Sequence, residues 1–217
     1  MKLKLLETFD DETSFIRRTV SNVITALFTV LGYKNWPEII KFLSENLQKD
    51  DADIVETTLD CVSKILEDIR TNSENIEFFD DDPLNQLIPR LIQLCNPVLP
   101  WKIKALAIYI LNLFSFAMPP IFLANMNNYF EILFISSQDQ NALVRQRACE
   151  GFLEVLERRK DLITANLDKV LERVVAFTMD SDNAVAKVAC RFWNEFLILE
   201  QDEPYDRIEA LKKYLHM

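Results

Sequence analysis

Acidic and basic side chains at a fixed spacing are the first residues of this chain whose chemistry could matter. Asp139 precedes Arg145 by six residues, and Asp11 precedes Arg17 by the same distance. Neither acid has a histidine, a glycine-rich loop or a nucleophile motif beside it, so the spacing does not indicate catalysis. It indicates ion pairs, and we interpret these residues as part of a scaffold.

The same spacing recurs in incomplete form. Asp50 stands six residues before Glu56 and Asp180 six before Ala186, whereas around Lys104 only the base is present. Successive positions of the base lie 39, 48, 41 and 41 residues apart. A helical period near 40 is typical of HEAT and armadillo arrays. We expect the acid at the turn of one repeat to meet the base of the next, so that ion pairs form a ladder along the stack.

The cysteines and the histidine offer no second chemistry. No pair of cysteines forms a CxxC motif, and the single histidine, His216, is next to the last residue, so we predict neither a metal site nor a catalytic triad. Cys149 and Cys190 follow Ala148 and Ala189 at the same place in successive repeats, which predicts two buried, small apolar side chains. Unpaired cysteines and the lack of a signal peptide at the start favour a reducing compartment.

Composition excludes several further classes of protein. With 2 glycines among 217 residues and no GxGxxG or GKS/GKT motif, a Rossmann or P-loop fold is disfavoured, and no catalytic residue or cofactor is predicted. The net charge of −10 excludes nucleic acid as a partner and favours basic proteins. The apolar stretch 105–124 is interrupted by Pro119 and Pro120, so neither half is long enough to span a membrane.

Apolar periodicity, together with prolines and capping residues, predicts an all-α chain. We expect a right-handed α-solenoid of HEAT repeats, each an antiparallel pair of a first and a second helix. Residues 1–217 are expected to form a single solenoid fragment of about five repeats, truncated inside a repeat at both ends. The predicted helices cover residues 1–9, 15–31, 36–48, 54–70, 82–95 (kinked at Pro89), 101–118, 120–137, 142–159, 162–179 and 183–200, with a last one from Tyr205.

Several segments resemble one known family. The segments NWPEIIKFL (35–43), DDPLNQLIPRLIQL (81–94), VRQRACEGFLEVLERRKDLI (144–163) and DSDNAVAKVACRFW (180–193) carry the resemblance. In order and spacing they are similar to the N-terminal repeats of transportin, the karyopherin-beta-2 branch of the importin-beta family. The resemblance covers about residues 3–200.

The resemblance implies a function in nuclear import, and no enzymatic one. Members of this family carry cargo with a nuclear localisation signal through the nuclear pore and release it on binding Ran-GTP. The chain is then expected to contribute to the Ran-binding N-terminal arch, while cargo and nucleoporins bind the rest of the receptor. Cytoplasm and nucleus are the implied compartments.

Other HEAT scaffolds remain as alternatives: a phosphatase scaffold, a tubulin-binding array or another importin. The 48-residue step disfavours the phosphatase scaffold, whose repeats are more uniform, and the acidic loops QKDDAD and MDSDN disfavour the tubulin-binding array.

In the resembling family, second helices line the concave face, so charged residues at helical spacing on these helices are candidate protein-binding residues. An ordinary solvated face is the alternative for each of them. Helical geometry selects Asp60, Lys64 and Glu67 on one helix, Arg147, Glu150, Glu154 and Glu157 on a second, and Lys187, Arg191 and Glu195 on a third.

Overall fold

The computed structural model describes residues 2–71 and 83–199, and within these ranges the chain contains α-helices and connecting turns but no strand. The predicted all-α fold is confirmed. The chain divides into two compact units, residues 1–128 and 129–217. Three sequence features lie outside the described residues: the acidic connection 72–82, the helix predicted from Tyr205, and His216.

The first unit is built from antiparallel helix pairs. The pairs are α1 with α2, α3 with α4, and α5 with α6, and the second helices α2, α4 and α6 stack side by side. The helices are α1 Lys2–Thr8, α2 Ser14–Asn35, α3 Glu38–Asn46, α4 Ala52–Thr71, α5 Pro83–Leu94, α6 Trp101–Phe114 and α7 Pro120–Ala124.

The second unit repeats this arrangement. Its second helices, α9 and α12, pack along each other, and α11 packs against both. Helix α8, Met126–Ser136, begins just before the boundary and lies mostly in this unit. The other helices are α9 Ala142–Arg158, α10 Lys160–Thr164, α11 Leu167–Thr178 and α12 Asn183–Leu199.

Local chemistry sets where the second helices begin. The side chain of Asn141 accepts a hydrogen bond from the N–H of Leu143 at 3.0 Å, which satisfies one of the free donors at the start of α9. Asp51 plays the same part for α4, because its carboxylate accepts from the N–H groups of Asp53 and Ile54 at 2.9 and 3.1 Å. The incomplete six-residue spacing from Asp50 to Glu56 is therefore shifted by one residue from the positions that are equivalent in the other repeats.

Two predicted helices are each divided into two. The helix expected at 120–137 breaks at Asn125, where φ is −103°, and the one expected at 162–179 breaks at Ala165 and Asn166, where φ of Asn166 is −123°. In both, a short helix precedes a longer one. By contrast, α5 continues through Pro89.

The helix predicted at 101–118 ends earlier, at Phe114. Met118 adopts a φ of 44° immediately before two prolines, and such a conformation cannot continue a helix. No helix among residues 2–71 and 83–199 is long and apolar enough to cross a membrane.

Aromatic packing holds the second unit together. The ring of Phe152, which is fully buried on α9, lies 5.2 Å from that of Phe134 and 6.4 Å from that of Phe130 on α8. Tilted and offset rings at these separations contribute beyond the area they bury. Ala148, one turn earlier on α9, is also fully buried, as the repeat pattern predicts.

The cysteine prediction is correct for Cys149 and wrong for Cys190. Cys149 is buried because α12 packs against its side of α9, whereas Cys190 is exposed. The equivalent side of α12 has no further helix against it within the described residues. Cys61 and Cys95 are buried as well. All four cysteines are free.

Candidate protein-binding surface

The acid–base spacing produces a bridge between two repeats of the second unit. The guanidinium of Arg145 donates to both carboxylate oxygens of Asp180, at 2.6 and 2.8 Å. Its third nitrogen donates to the carbonyls of Asp139 and Gln140 in its own turn, at 2.9 and 3.0 Å. This hydrogen bonding raises the pKa of Arg145 and lowers the pKa of Asp180.

The first unit shows the same device. Arg17 donates to the carbonyls of Asp11 and Glu12 at 2.8 and 3.0 Å and to the carboxylate of Asp53 on the next second helix at 3.2 Å. Lys104 donates to the carbonyl of Pro97 in its own turn at 3.3 Å. Each of these basic side chains thus donates hydrogen bonds to backbone carbonyls of the turn that precedes its own helix.

The predicted order of the ladder is wrong for Arg17 and Arg145, because each pairs with an acid of the following repeat, Asp53 and Asp180. The predicted order holds for Asp10, whose carboxylate pairs with Lys49 in the turn of the following repeat.

A polar groove lies beside the ladder of the first unit. Its volume is about 410 Å³ and its walls are the charged sides of α2, α4 and α6. Lys64 bridges two of these helices, donating to Asp60 at 2.6 Å and to Asn22 at 2.8 Å. Lys102 pairs with Glu56 at 3.5 Å. The candidate residues Asp60 and Lys64 therefore line the groove.

The third candidate of the first unit, Glu67, is exposed and accepts a hydrogen bond from the hydroxyl of Tyr109 on α6 at 2.8 Å. The candidate set omitted Asn22, Glu56, Lys102 and Tyr109, which occupy the same face. The signal was available, since α2 and α6 carry polar residues at the same helical spacing as α4.

In the second unit, three of the four candidates on α9 form ion pairs within the helix, and the fourth, Glu157, does not. Arg147 pairs with Glu150 at 2.7 Å, and Glu154 pairs with Arg158 at 3.4 Å. These side chains are half-buried. Glu157 is exposed and has no ion pair within 4.0 Å among the described residues.

Glu157 faces α12 and its candidates. Although Glu157 is exposed, partial desolvation of its carboxylate is the main cause of its raised pKa. The charges of Glu154 and Glu195 raise this pKa further, while those of Arg191 and Arg158 lower it. Lys187 and Arg191 are exposed and Glu195 is half-buried. The structure thus brings Glu154, Glu157, Arg191 and Glu195 close together. Whether any candidate binds a partner stays a prediction.

This cluster makes a pH dependence testable. Because the folded pKa of Glu157 lies above its ordinary value, ionisation of this group opposes folding, and that cost is fully present only above the folded pKa. We expect Glu157→Gln to raise the midpoint of urea unfolding at pH 7 but not at pH 4. The exposed Glu131→Gln on α8 is the matched control. An equal shift at both pH values would contradict the prediction.

Paired second helices joined by turn-to-turn ion pairs define a helical-repeat scaffold of the HEAT and armadillo class. Solved structures agree. Yeast importin-beta (Kap95p) superimposes with a TM-score of 0.75 over 97% of this chain and 25% of that protein, at 15% identity. A structure of importin beta gives a TM-score of 0.72 at 19% identity, over 96% of this chain and 25% of that protein. At such identities the likeness establishes the fold.

Sequence comparison finds transportins and importin subunit beta-2 among the proteins that this chain is similar to. The chain is 31% identical over 205 residues to importin subunit beta-2 of Schizosaccharomyces pombe, covering 94% of this chain and 22% of that protein. It is 29% identical over 197 residues to transportin-1 of Mus musculus, covering 89% of this chain and 21% of that protein. The resemblance to the transportin branch of the importin-beta family is confirmed. No profile of a known protein family matches the chain.

The relatives are transport receptors and not enzymes. The chain spans about a fifth of the length of the curated relatives that it matches.

Proposed function

We propose that the chain is part of a nuclear import receptor and that its second helices contribute to a surface that binds Ran in the GTP form. The observation that carries this proposal is the similarity to transportins and importin subunit beta-2 over 89% and 94% of the chain. Cargo with a nuclear localisation signal and nucleoporins are the proposed partners of the rest of the receptor, and shuttling between cytoplasm and nucleus is the proposed location.

Two structural neighbours support these partners. Kap95p binding induces the switch loops of RanGDP to adopt the GTP-bound conformation, in a structure with a TM-score of 0.65 to this chain at 15% identity. Kap95 also forms a complex with Nup1, in a structure with a TM-score of 0.69 at 13% identity.

The geometry of the candidate residues suggests how a partner would bind. Lys64 and Asp60 keep about a third of their side-chain surface exposed, at 35% and 36%, although they pair with each other. A partner can contact such a pair without breaking it, so the two charges keep each other as counter-charges when the contact removes water from them. Long-range attraction then contributes to the rate of association more than to its strength.

Nucleotide-dependent binding is the experiment that tests the proposal. We expect the chain to bind Ran loaded with a GTP analogue in preference to Ran-GDP, and more weakly than the parent receptor does. A loss of about 3 kcal/mol of contacts lowers affinity roughly a hundredfold. Titration calorimetry at two salt concentrations would measure this, and affinity should fall as salt rises.

Charge reversals make the test specific to the second helices. Glu150, Glu154 and Glu157 together changed to lysine should reduce binding while the helical circular dichroism signal is retained. Glu157→Lys alone leaves the Arg147 and Arg158 pairs intact and is the cleaner variant, and Glu172→Lys on α11 is its matched control. Equal affinity for both nucleotide states in the chain and in its parent, or tight binding of a proline-tyrosine signal peptide without Ran binding, would refute the proposal.

A further inference from the structure

The turn between α5 and α6 is longer than the equivalent turns of other repeats. Before α9, Asp139 accepts the N–H two residues further on and precedes Arg145 by six residues. The turn before α2 has the same spacing. Before α6 this place is taken by Asn96, which accepts the Val98 N–H at 3.1 Å but precedes Lys104 by eight residues. The turn before α6 therefore contains two additional residues.

This longer turn is also apolar, whereas the others are polar. Residues 96–101, which we call the apolar turn, read NPVLPW, while 11–14, 139–142 and 180–183 read DETS, DQNA and DSDN. Val98 is 87% exposed and Trp101 is 42% exposed. The indole N–H of Trp101 has no hydrogen-bond partner within residues 2–71 and 83–199. A half-exposed tryptophan with an unbonded N–H is typical of a protein-binding surface.

Hydrogen bonds and two prolines hold the apolar turn in one conformation. The N–H of Leu99 donates to the carbonyl of Asn96 at 3.0 Å, and the buried Lys104 donates to the carbonyl of Pro97 at 3.3 Å. The rings of Pro97 and Pro100 restrict the backbone further. A surface that is ordered before binding loses little conformational entropy when a partner arrives.

The surroundings of the apolar turn favour a cation. The ammonium group of Lys102 lies 5.9 Å from the centre of the Trp101 ring and 3.5 Å from the carboxylate of Glu56. The ring and an acid of α4 thus already attract one cation together. The turn before α4 adds Asp50 and Asp51, which are both exposed. A basic partner is therefore complementary in charge to this edge of the first unit.

A second copy of this chain does not fit that requirement. Each copy carries a net charge of −10, and like charges oppose association. The partner is therefore a different protein with a basic segment.

We propose that the apolar turn is a docking site for a partner segment in which an arginine stands beside a bulky apolar residue. The guanidinium stacks on the ring of Trp101 and pairs with the acids of the turn before α4, while the apolar side chain covers Val98. A backbone carbonyl of the segment accepts the indole N–H. Arginine suits this place better than lysine, because its planar group stacks and donates at the same time. The proposal does not depend on the binding of Ran.

Peptide selection on the full chain tests the proposal. A library of short random peptides displayed on phage is selected on the full chain and counter-selected on Val98→Ser. This substitution removes the apolar contact at a site too exposed to affect the core. We expect the enriched peptides to share an arginine next to a leucine, isoleucine or phenylalanine.

One enriched peptide is then titrated against variants of the chain. Trp101→Ala and Val98→Ser should each lower its affinity about tenfold or more, and glutamine in place of the peptide's arginine should do the same. Val30→Ser on α2 is the matched control, because Val30 is 82% exposed, and it should leave the affinity unchanged. In NMR spectra, the indole N–H resonance that Trp101→Ala removes should shift when the peptide is added.

Several results would overturn the proposal. They are the absence of enriched peptides, enrichment of peptides without arginine, an equal loss of affinity with Val98→Ser and Val30→Ser, and an unmoved indole resonance. A concentration-dependent dimer of the unmodified chain that Val98→Ser abolishes would also overturn it, because a second copy would then be the occupant.

Discussion

Replacing Ala148 with aspartate should lower the free energy of unfolding by about 3 to 5 kcal/mol. Ala148 is fully buried on α9, in the same packed face as Phe152. A carboxylate at this place would lose its hydration without gaining a base, and it would separate packed helices. Urea unfolding at pH 7 measures the loss.

The control for this variant is the same substitution at an exposed site. Ala184, in the first turn of α12, is exposed, and an acid near a helix N-terminus is tolerated or mildly favourable. Ala184→Asp should therefore leave the unfolding midpoint nearly unchanged. Similar midpoints for the two variants would show that Ala148 does not contribute to a packed core.

Removing the guanidinium of Arg145 should cost about 2 to 4 kcal/mol. Arg145→Ala deletes the bonds to Asp180 and those to two turn carbonyls, and it leaves a carboxylate that is only 9% exposed without its counter-charge. Arg147→Ala is the matched control, two residues along the same helix. It removes a pair within α9, so it should be nearly neutral for folding.

The pH dependence of Arg145→Ala follows from the lowered pKa of Asp180. A lowered folded pKa means that the pair stabilises the fold fully above the ordinary pKa of 3.8 and loses this effect as pH falls towards the folded value. The destabilisation by Arg145→Ala should therefore be large at pH 7 and small near pH 2. A difference that does not change with pH, or an equally large effect of Arg147→Ala, would contradict this view of the ladder.

Helix positions could be predicted closely from the sequence because local chemistry sets them. Asn141 is a residue type favoured at a helix N-cap, and it caps α9. The helix predicted from Trp36 begins instead at Glu38, and α2 continues to Asn35. The breaks at Asn125 and at Ala165 were not predictable in this way. Neither site carries a proline or a glycine, and each has an asparagine instead, Asn125 and Asn166.

The surface was harder to predict than the helices. Helical spacing identified which side of α4 and α9 carries charge, but a partner such as Asn22 for Lys64 comes from 42 residues away. Cys190 was predicted to be buried because the pattern repeats, although burial needs a neighbouring helix and not only a place in the repeat. The same limit applies to the ladder, whose members were identifiable but whose order depended on how the turns meet.

The unequal burial of the thiols gives the chain a built-in position for chemical labelling. Burial raises the pKa of Cys61 to about 11 and raises the pKa values of Cys95 and Cys149 as well, so these three thiols react poorly with electrophiles while the helices are packed. Cys190 is exposed on α12. A maleimide dye should therefore attach at one site without any engineering, and slower labelling of the other three cysteines would time the opening of each helix pair.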